Sequence, residues 1–168
     1  MKKTIVLTLS LLLTLSVSTF AQKFGYCNSL SLLAELPEVK QADSDLQAFQ
    51  TQLNKRGQEM LKQLQDSAAE LDRKKENGLI SPKDYDAQTA TLQEEQAKLE
   101  AYQQDVYRQL AEKRQKLYNP ILERVNQAMK DVANEQGFTM VFDQASSILI
   151  YADESLDVTP LVKAKLAH

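Results

Sequence analysis

The sequence predicts an α+β protein that is mostly α, with a long antiparallel helical hairpin projecting from a small β body. Two long stretches with apolar residues at helical spacing flank a short Asn-Gly to Ser-Pro turn at 77–82. Both stretches are otherwise polar, so each helix buries one narrow stripe and exposes its other faces to water. Strand-like runs lie only near the two ends, at 23–28 and 138–151.

The first 21 residues are typical of a secretory signal peptide. Lys2 and Lys3 precede an apolar run at 5–17, and Thr19-Phe20-Ala21 supplies small residues where a signal peptidase reads. The run is short for a membrane span, although an uncleaved anchor is the alternative. No cysteine follows the small residues directly, so no lipid anchor is expected. Cleavage after Ala21 would change the formal net charge from −3 to −5, which argues against non-specific nucleic-acid binding.

A short Leu-rich helix should begin at Asn28 or Ser29 and end at Pro37, which suits the first position of the outgoing helix. The outgoing helix is predicted from Glu38 to about Glu76. Its apolar stripe consists of Leu46, Phe49, Leu53, Gly57, Met60, Leu64, Ala68 and Leu71. The 3-4-4 spacing is an 11-residue repeat, which indicates straight or slightly right-handed winding.

The return helix should begin at Ser81, as the cap, with Pro82 in its first position. Its stripe consists of Tyr85, Leu92, Leu99, Tyr102, Val106, Leu110, Leu117 and Ile121. At ~1.5 Å per residue the two helices would be about 58 Å and about 80 Å long. A compact core does not need helices of such length, so the hairpin at 38–120 must project.

Pro120 lies inside the return helix, where proline deletes a backbone donor and clashes with the preceding turn. After it the apolar face widens, which marks the boundary between hairpin and body. A kink at this hinge would let the last turns lean onto the sheet. The alternative is that the helix breaks and a separate one starts at Ile121.

The body comprises 22–37 and 121–168. Strands are predicted at 23–28, at 138–143 and, as a buried strand, at 148–151, followed by a short helix with Thr159 as its cap. Isolated small sheets are marginal and their edges invite pairing, so the strands should complete a sheet or barrel shared with other subunits. The predicted assembly contacts are Phe24, Tyr26, Met140, Phe142, Ile148 and Ile150. Cys27 is interpreted as a small buried hydrophobe, the alternatives being a reactive thiol or an intermolecular disulfide.

The sequence offers no constellation of catalytic residues. Its only histidine is His168, its four glycines form no phosphate-binding loop, and no His/Cys/carboxylate cluster has metal-ligand spacing. Carboxylates spaced along a polar helix are usually a solvated surface. We therefore predict that the chain is not an enzyme and requires no metal or cofactor.

The order of elements resembles the Skp-like (OmpH family) periplasmic chaperones. The resemblance rests on FGYCNS at 24–29, LLAELPEVKQAD at 32–43, NPILERVNQAMKDVANEQGFTMVFD at 119–143 and ILIYADESLDVTPLVKAKL at 148–166. It implies a periplasmic homotrimer in which three chains share a small β-barrel. Three helical tentacles would then enclose a cavity that holds unfolded outer-membrane proteins without ATP.

This resemblance predicts a holdase chaperone, and the alternative is a structural coiled-coil hairpin or envelope adaptor that docks a partner by its tip. The candidate client contacts are Tyr85, Leu92, Leu99, Tyr102 and Tyr107. Seam packing also explains Tyr85 and Tyr102, whereas Tyr107 lies off the stripe. The best-known family members are strongly basic, but the tip at 72–86 carries four basic and four acidic residues. That balance does not favour contact with lipopolysaccharide or the membrane surface. No stretch after residue 21 has the pattern of a transmembrane segment, so no stable membrane insertion is expected.

Overall fold

The computed structural model describes residues 22–146 and 148–167. The predicted signal peptide at 1–21 lies outside the described residues. In chain order the elements are strand β1 (Phe24–Cys27), helices α1 (Ser29–Glu35), α2 (Pro37–Glu76) and α3 (Pro82–Gln136), strand β2 (Met140–Asp143) and helix α4 (Thr159–Leu166). Two short 3₁₀ turns, Gln144–Ser146 and Glu154–Leu156, lie between β2 and α4. The predicted α+β, mostly α fold is confirmed.

The turn between α2 and α3 forms where the sequence predicted it. Gly78 adopts φ +67°, and the N–H groups of Gly78 and Leu79 donate to the carbonyls of Lys75 and Lys74, which satisfies the last turn of α2. The hydroxyl of Ser81 then accepts the N–H of Asp84 at 3.1 Å, ahead of Pro82. These two capping motifs reverse the chain within five residues, at 77–81.

The helices α2 and α3 are antiparallel, as their contacts show: residues later in α2 contact residues earlier in α3. Lys113 contacts Phe49, and Tyr102 contacts Gly57. Near the tip, Lys75 lies 4.1 Å from the centre of the Tyr85 ring. Every residue of the two predicted stripes is buried or half-buried. The 3-4-4 spacing therefore identified the seam between the helices correctly.

The helix α3 continues without interruption through Pro120. Of the two alternatives, the continuous helix is correct and the broken one is wrong. Proline has no N–H to donate to the carbonyl of Lys116, so this turn lacks one helical hydrogen bond. Ile121 packs against the body core just beyond it. Whether Pro120 acts as a hinge stays a prediction.

The body core forms where α1 and the first turns of α2 meet the end of α3, β1 and α4. Its buried members are Cys27, Leu32, Leu36, Val39, Val125, Ala128, Val132, Val158 and Val162. No buried or half-buried apolar residue at 43–117 belongs to this cluster or packs on it. The hairpin beyond its base is therefore stabilised along its own seam rather than by the body.

The strands pair in parallel, with Phe24 opposite Met140 and Tyr26 opposite Phe142. On its other edge β1 forms a bridge between Tyr26 and Asp157, and the N–H of Val158 donates to the carbonyl of Tyr26 at 2.8 Å. Both edges of β1 are thus occupied, whereas the outer edge of β2 pairs with no other strand of the described residues.

Two local predictions are wrong. The residues at 148–151 form no strand in the described chain, and Ile148, Ile150 and Tyr151 are exposed. Their apolar character indicated burial, but a single chain supplies nothing to cover them. Thr159 is not a cap either, because its hydroxyl accepts the N–H of Asn28 while its own N–H donates to Asp157. It ties β1 to the start of α4.

Candidate client and assembly surfaces

The open face of the sheet is apolar and exposed. In a parallel pair, residues opposite each other point to the same side, so β1 and β2 present Phe24, Met140 and Phe142 together. The rings of Phe24 and Phe142 lie 6.4 Å apart between centroids, and all three side chains are exposed. Tyr26 shares this face but is buried. Three of the six predicted assembly residues therefore form one contiguous apolar surface.

A second exposed apolar surface belongs to the segment at 148–151. The side chain of Ile150 is 98% exposed, and those of Ile148 and Tyr151 are nearly as open. Large apolar side chains gathered in this way mark an interaction surface more often than isolated ones do. The predicted assembly role of all six residues is not tested by a single chain and stays a prediction.

The opposite face of the sheet is held to the helices by Asp143. Its carboxylate accepts the hydroxyl of Ser29 at 2.6 Å and the N–H groups of Ser29 and Ala145 at 3.3 and 3.0 Å. Partial burial acts to raise the pKa of Asp143, but these hydrogen bonds outweigh it and hold the pKa below its usual value. This carboxylate therefore connects the end of β2 to the start of α1.

Cys27 lies in the core and is fully buried. Burial is the main cause that raises the pKa of its thiol, and the nearby Asp143 and Asp157 add to it. A raised pKa disfavours the thiolate, which is the reactive form. The geometry supports the interpretation of Cys27 as a packed hydrophobe.

The five candidate client residues occupy different environments along α3. Leu99 is buried in the seam, and Tyr85, Leu92 and Tyr102 are half-buried there. Tyr107 is 78% exposed. Only Tyr107 presents most of its side chain to a ligand, and client contact stays a prediction for all five.

A groove at mid-hairpin was not predicted from the sequence. Leu61, which lies off the stripe of α2, is exposed there, across the helix pair from Tyr107. Gly57 was assigned only to the seam, but the ring of Tyr102 packs against it, and both residues line the same groove. A large aliphatic residue off the stripe of an otherwise polar helix was the available signal.

The tip carries Leu79, which is 74% exposed, beside a balanced set of charges. Lys74 pairs with Glu70 at 2.8 Å within α2. Among the described residues, no helix is both long and apolar enough to cross a membrane. In the same residues, no three acidic, His or Cys side chains are grouped as a metal site requires.

Comparison with known proteins gives consistent matches over nearly all of the described residues. The family described as "Outer membrane protein (OmpH-like)" matches residues 23–166. The Chaperone protein Skp of Yersinia enterocolitica is 31% identical over 158 residues, which cover 90% of each chain. The crystal structure of an OmpH-like protein from Caulobacter crescentus CB15 superposes with a TM-score of 0.75 at 21% identity, over 86% of this chain and 83% of that one.

Proposed function

Because the chain belongs to the OmpH-like family of outer membrane chaperones, we propose that it is an ATP-independent holdase of the periplasm. In this proposal three copies join through their bodies, and their hairpins enclose a cavity for unfolded outer-membrane proteins. Binding keeps the client from aggregating and does not impose a particular conformation on it.

The observation that carries this proposal is a hairpin whose stability depends on its own narrow seam. Its outer faces are polar and solvated, and no buried or half-buried apolar residue at 43–117 packs against the body core. Such a hairpin offers a long solvated surface with a few exposed apolar side chains. Many weak contacts of this kind hold an unfolded chain without selecting one conformation.

The assembly part of the proposal is supported by an unpaired strand edge and exposed apolar surfaces on the body. The outer edge of β2 is unpaired among the described strands, and the open sheet face and the segment at 148–151 are exposed and apolar. Exposed strand edges next to apolar surface are a template for pairing with another chain. A shared barrel would cover all three features at once.

A direct test is to dilute a urea-unfolded eight-stranded outer-membrane barrel into buffer and follow light scattering with and without the mature protein. We expect a small molar excess of trimer to suppress scattering, equally with and without ATP. Unchanged scattering would refute the holdase proposal.

The second candidate, a tip-docking envelope adaptor, is favoured by one observation. Leu79 stands 74% exposed at the turn of the hairpin. An adaptor predicts that the wild-type protein leaves the unfolded barrel to aggregate, so the same scattering experiment separates the two functions.

A further inference from the structure

A groove lies between α2 and α3 near the middle of the hairpin. Its floor is the ring of Tyr102, which packs against Gly57; a Cβ placed on Gly57 would lie 3.4 Å from this ring. The Tyr102 hydroxyl donates to the carbonyl of Leu53 at 2.9 Å, across the seam. Glycine inside a helix costs roughly 0.5–1 kcal/mol relative to alanine, and the 3.4 Å distance is an ordinary van der Waals contact, so the ring of Tyr102 packs closely over this position.

The walls of the groove carry exposed apolar side chains. Between residues 38 and 120, all of which the structure describes, the exposed large apolar side chains are Leu61, Leu79 and Tyr107. Leu79 is at the tip, and the other two line this groove from opposite helices. Two of the three exposed large apolar side chains of the hairpin thus lie at this groove.

The rest of the lining is neutral. No charged residue lines the groove, although 26% of the chain is charged. The Arg56 guanidinium lies 5.7 Å from the centre of the Tyr102 ring but is outside the lining. A charged ligand would therefore gain no ion pair inside the groove and would lose water there.

The polar groups of the lining are the side-chain amides of Asn54, Gln58 and Gln103. None of the three has a hydrogen bond to another described residue, whereas Gln96 and Gln109 donate to carboxylates on α3. An amide has two donors and an acceptor with two lone pairs, the same kinds of group as a peptide backbone. The lining therefore matches an uncharged polypeptide segment in both its apolar and its polar parts.

We propose that this groove binds an extended, uncharged segment of unfolded protein, with an apolar side chain over Tyr102 between Leu61 and Tyr107. The segment's backbone hydrogen-bonds with the amides along the rim. Strands of outer-membrane barrels alternate apolar with polar residues, so an unfolded barrel offers many such segments. This inference rests on the proposed holdase function and locates part of its client contact.

The test compares Leu61→Ser/Tyr107→Ser with the matched control Leu79→Ser, since all three side chains are exposed and far from the body core. The probe is a labelled twelve-residue peptide that alternates Val or Tyr with Ser or Thr, read by fluorescence anisotropy. We expect the double variant to weaken binding about tenfold, because two apolar contacts are lost. The control should bind as the wild type does, and a second peptide with Asp at the polar positions should bind the wild type weakly.

Equal affinity of the double variant and the control for the peptide would overturn the proposal that the groove binds it. A second measurement does not depend on loss of affinity: p-benzoylphenylalanine at Gln103 should crosslink the uncharged peptide, and at the adjacent exposed Gln104, outside the lining, it should not. Equal crosslinking at both positions would also overturn it. Light scattering with the unfolded barrel separates the groove proposal from the holdase proposal. If the wild-type protein does not suppress scattering, the holdase function itself is refuted.

Discussion

Replacing Ile150 with Asp distinguishes a self-sufficient body from one completed by other subunits. In the single chain this side chain is 98% exposed. A substitution at such a position normally changes the free energy of unfolding by no more than about 0.5 kcal/mol. An isolated chain that carries Ile150→Asp should therefore fold as well as the isolated wild-type chain, and any large effect of the substitution must come from assembly.

In a shared barrel the same side chain is buried in every copy. Burying one Ile contributes about 1.5–3 kcal/mol, so three copies contribute about 5–9 kcal/mol. A carboxylate loses this contribution and adds its own cost of desolvation. A loss of about 5 kcal/mol alone lowers the association constant of the trimer by more than about 1000-fold, at 1.4 kcal/mol per factor of ten.

The assay is sedimentation velocity of the mature protein over a range of concentrations, with circular dichroism to follow helix content. Ile150→Asp should sediment as monomer while the control Leu79→Asp, at the exposed tip, stays trimeric. A trimer that persists in Ile150→Asp at micromolar concentration would refute the argument that 148–151 is covered by assembly.

Three further predictions concern the hairpin, the body and client binding. Amide hydrogen exchange should be fast at 60–100 and slow at 125–132, because the seam buries little per residue; uniform protection would contradict this. The lowered pKa of Asp143 stabilises the fold at pH values above the unfolded pKa of about 3.9, and this stability is lost as pH falls through the lower folded pKa. Urea unfolding at pH 7 and pH 2.5 should thus show a smaller acid-induced loss in Asp143→Asn than in the wild type, and equal losses would exclude this linkage. Client affinity should change less than tenfold between low and physiological salt, because apolar contact is not screened; a steeper fall would indicate capture by a local basic patch.

The hairpin could be predicted from the sequence because its signals are local. Gly78 and Ser81-Pro82 set the ends of the two helices through bonds that span only a few residues. The 3-4-4 spacing likewise depends on one helix at a time, so both stripes could be predicted from it. With the short turn between the helices, the stripes also predict the antiparallel seam. Gly137, at φ +68°, ends α3 by the same local rule.

The body could be predicted only in part because its pairings join distant residues. Nothing near Phe24 specifies that β1 pairs in parallel with β2, more than a hundred residues later, and borders Asp157 on its other side. Similarly, the apolar run at 148–151 predicts burial, but the described chain leaves it exposed, and the sequence does not say what would cover it. The groove at Gly57 was missed for the same reason, since it exists only when the two helices are side by side.

Native mass spectrometry can show whether the mature protein holds an unfolded outer-membrane barrel as a trimer when the two are mixed without nucleotide. We expect one dominant complex of three chains and one client, which disappears when the client is folded beforehand in detergent. A client-free monomer as the dominant species, or equal binding of the folded barrel, would contradict it.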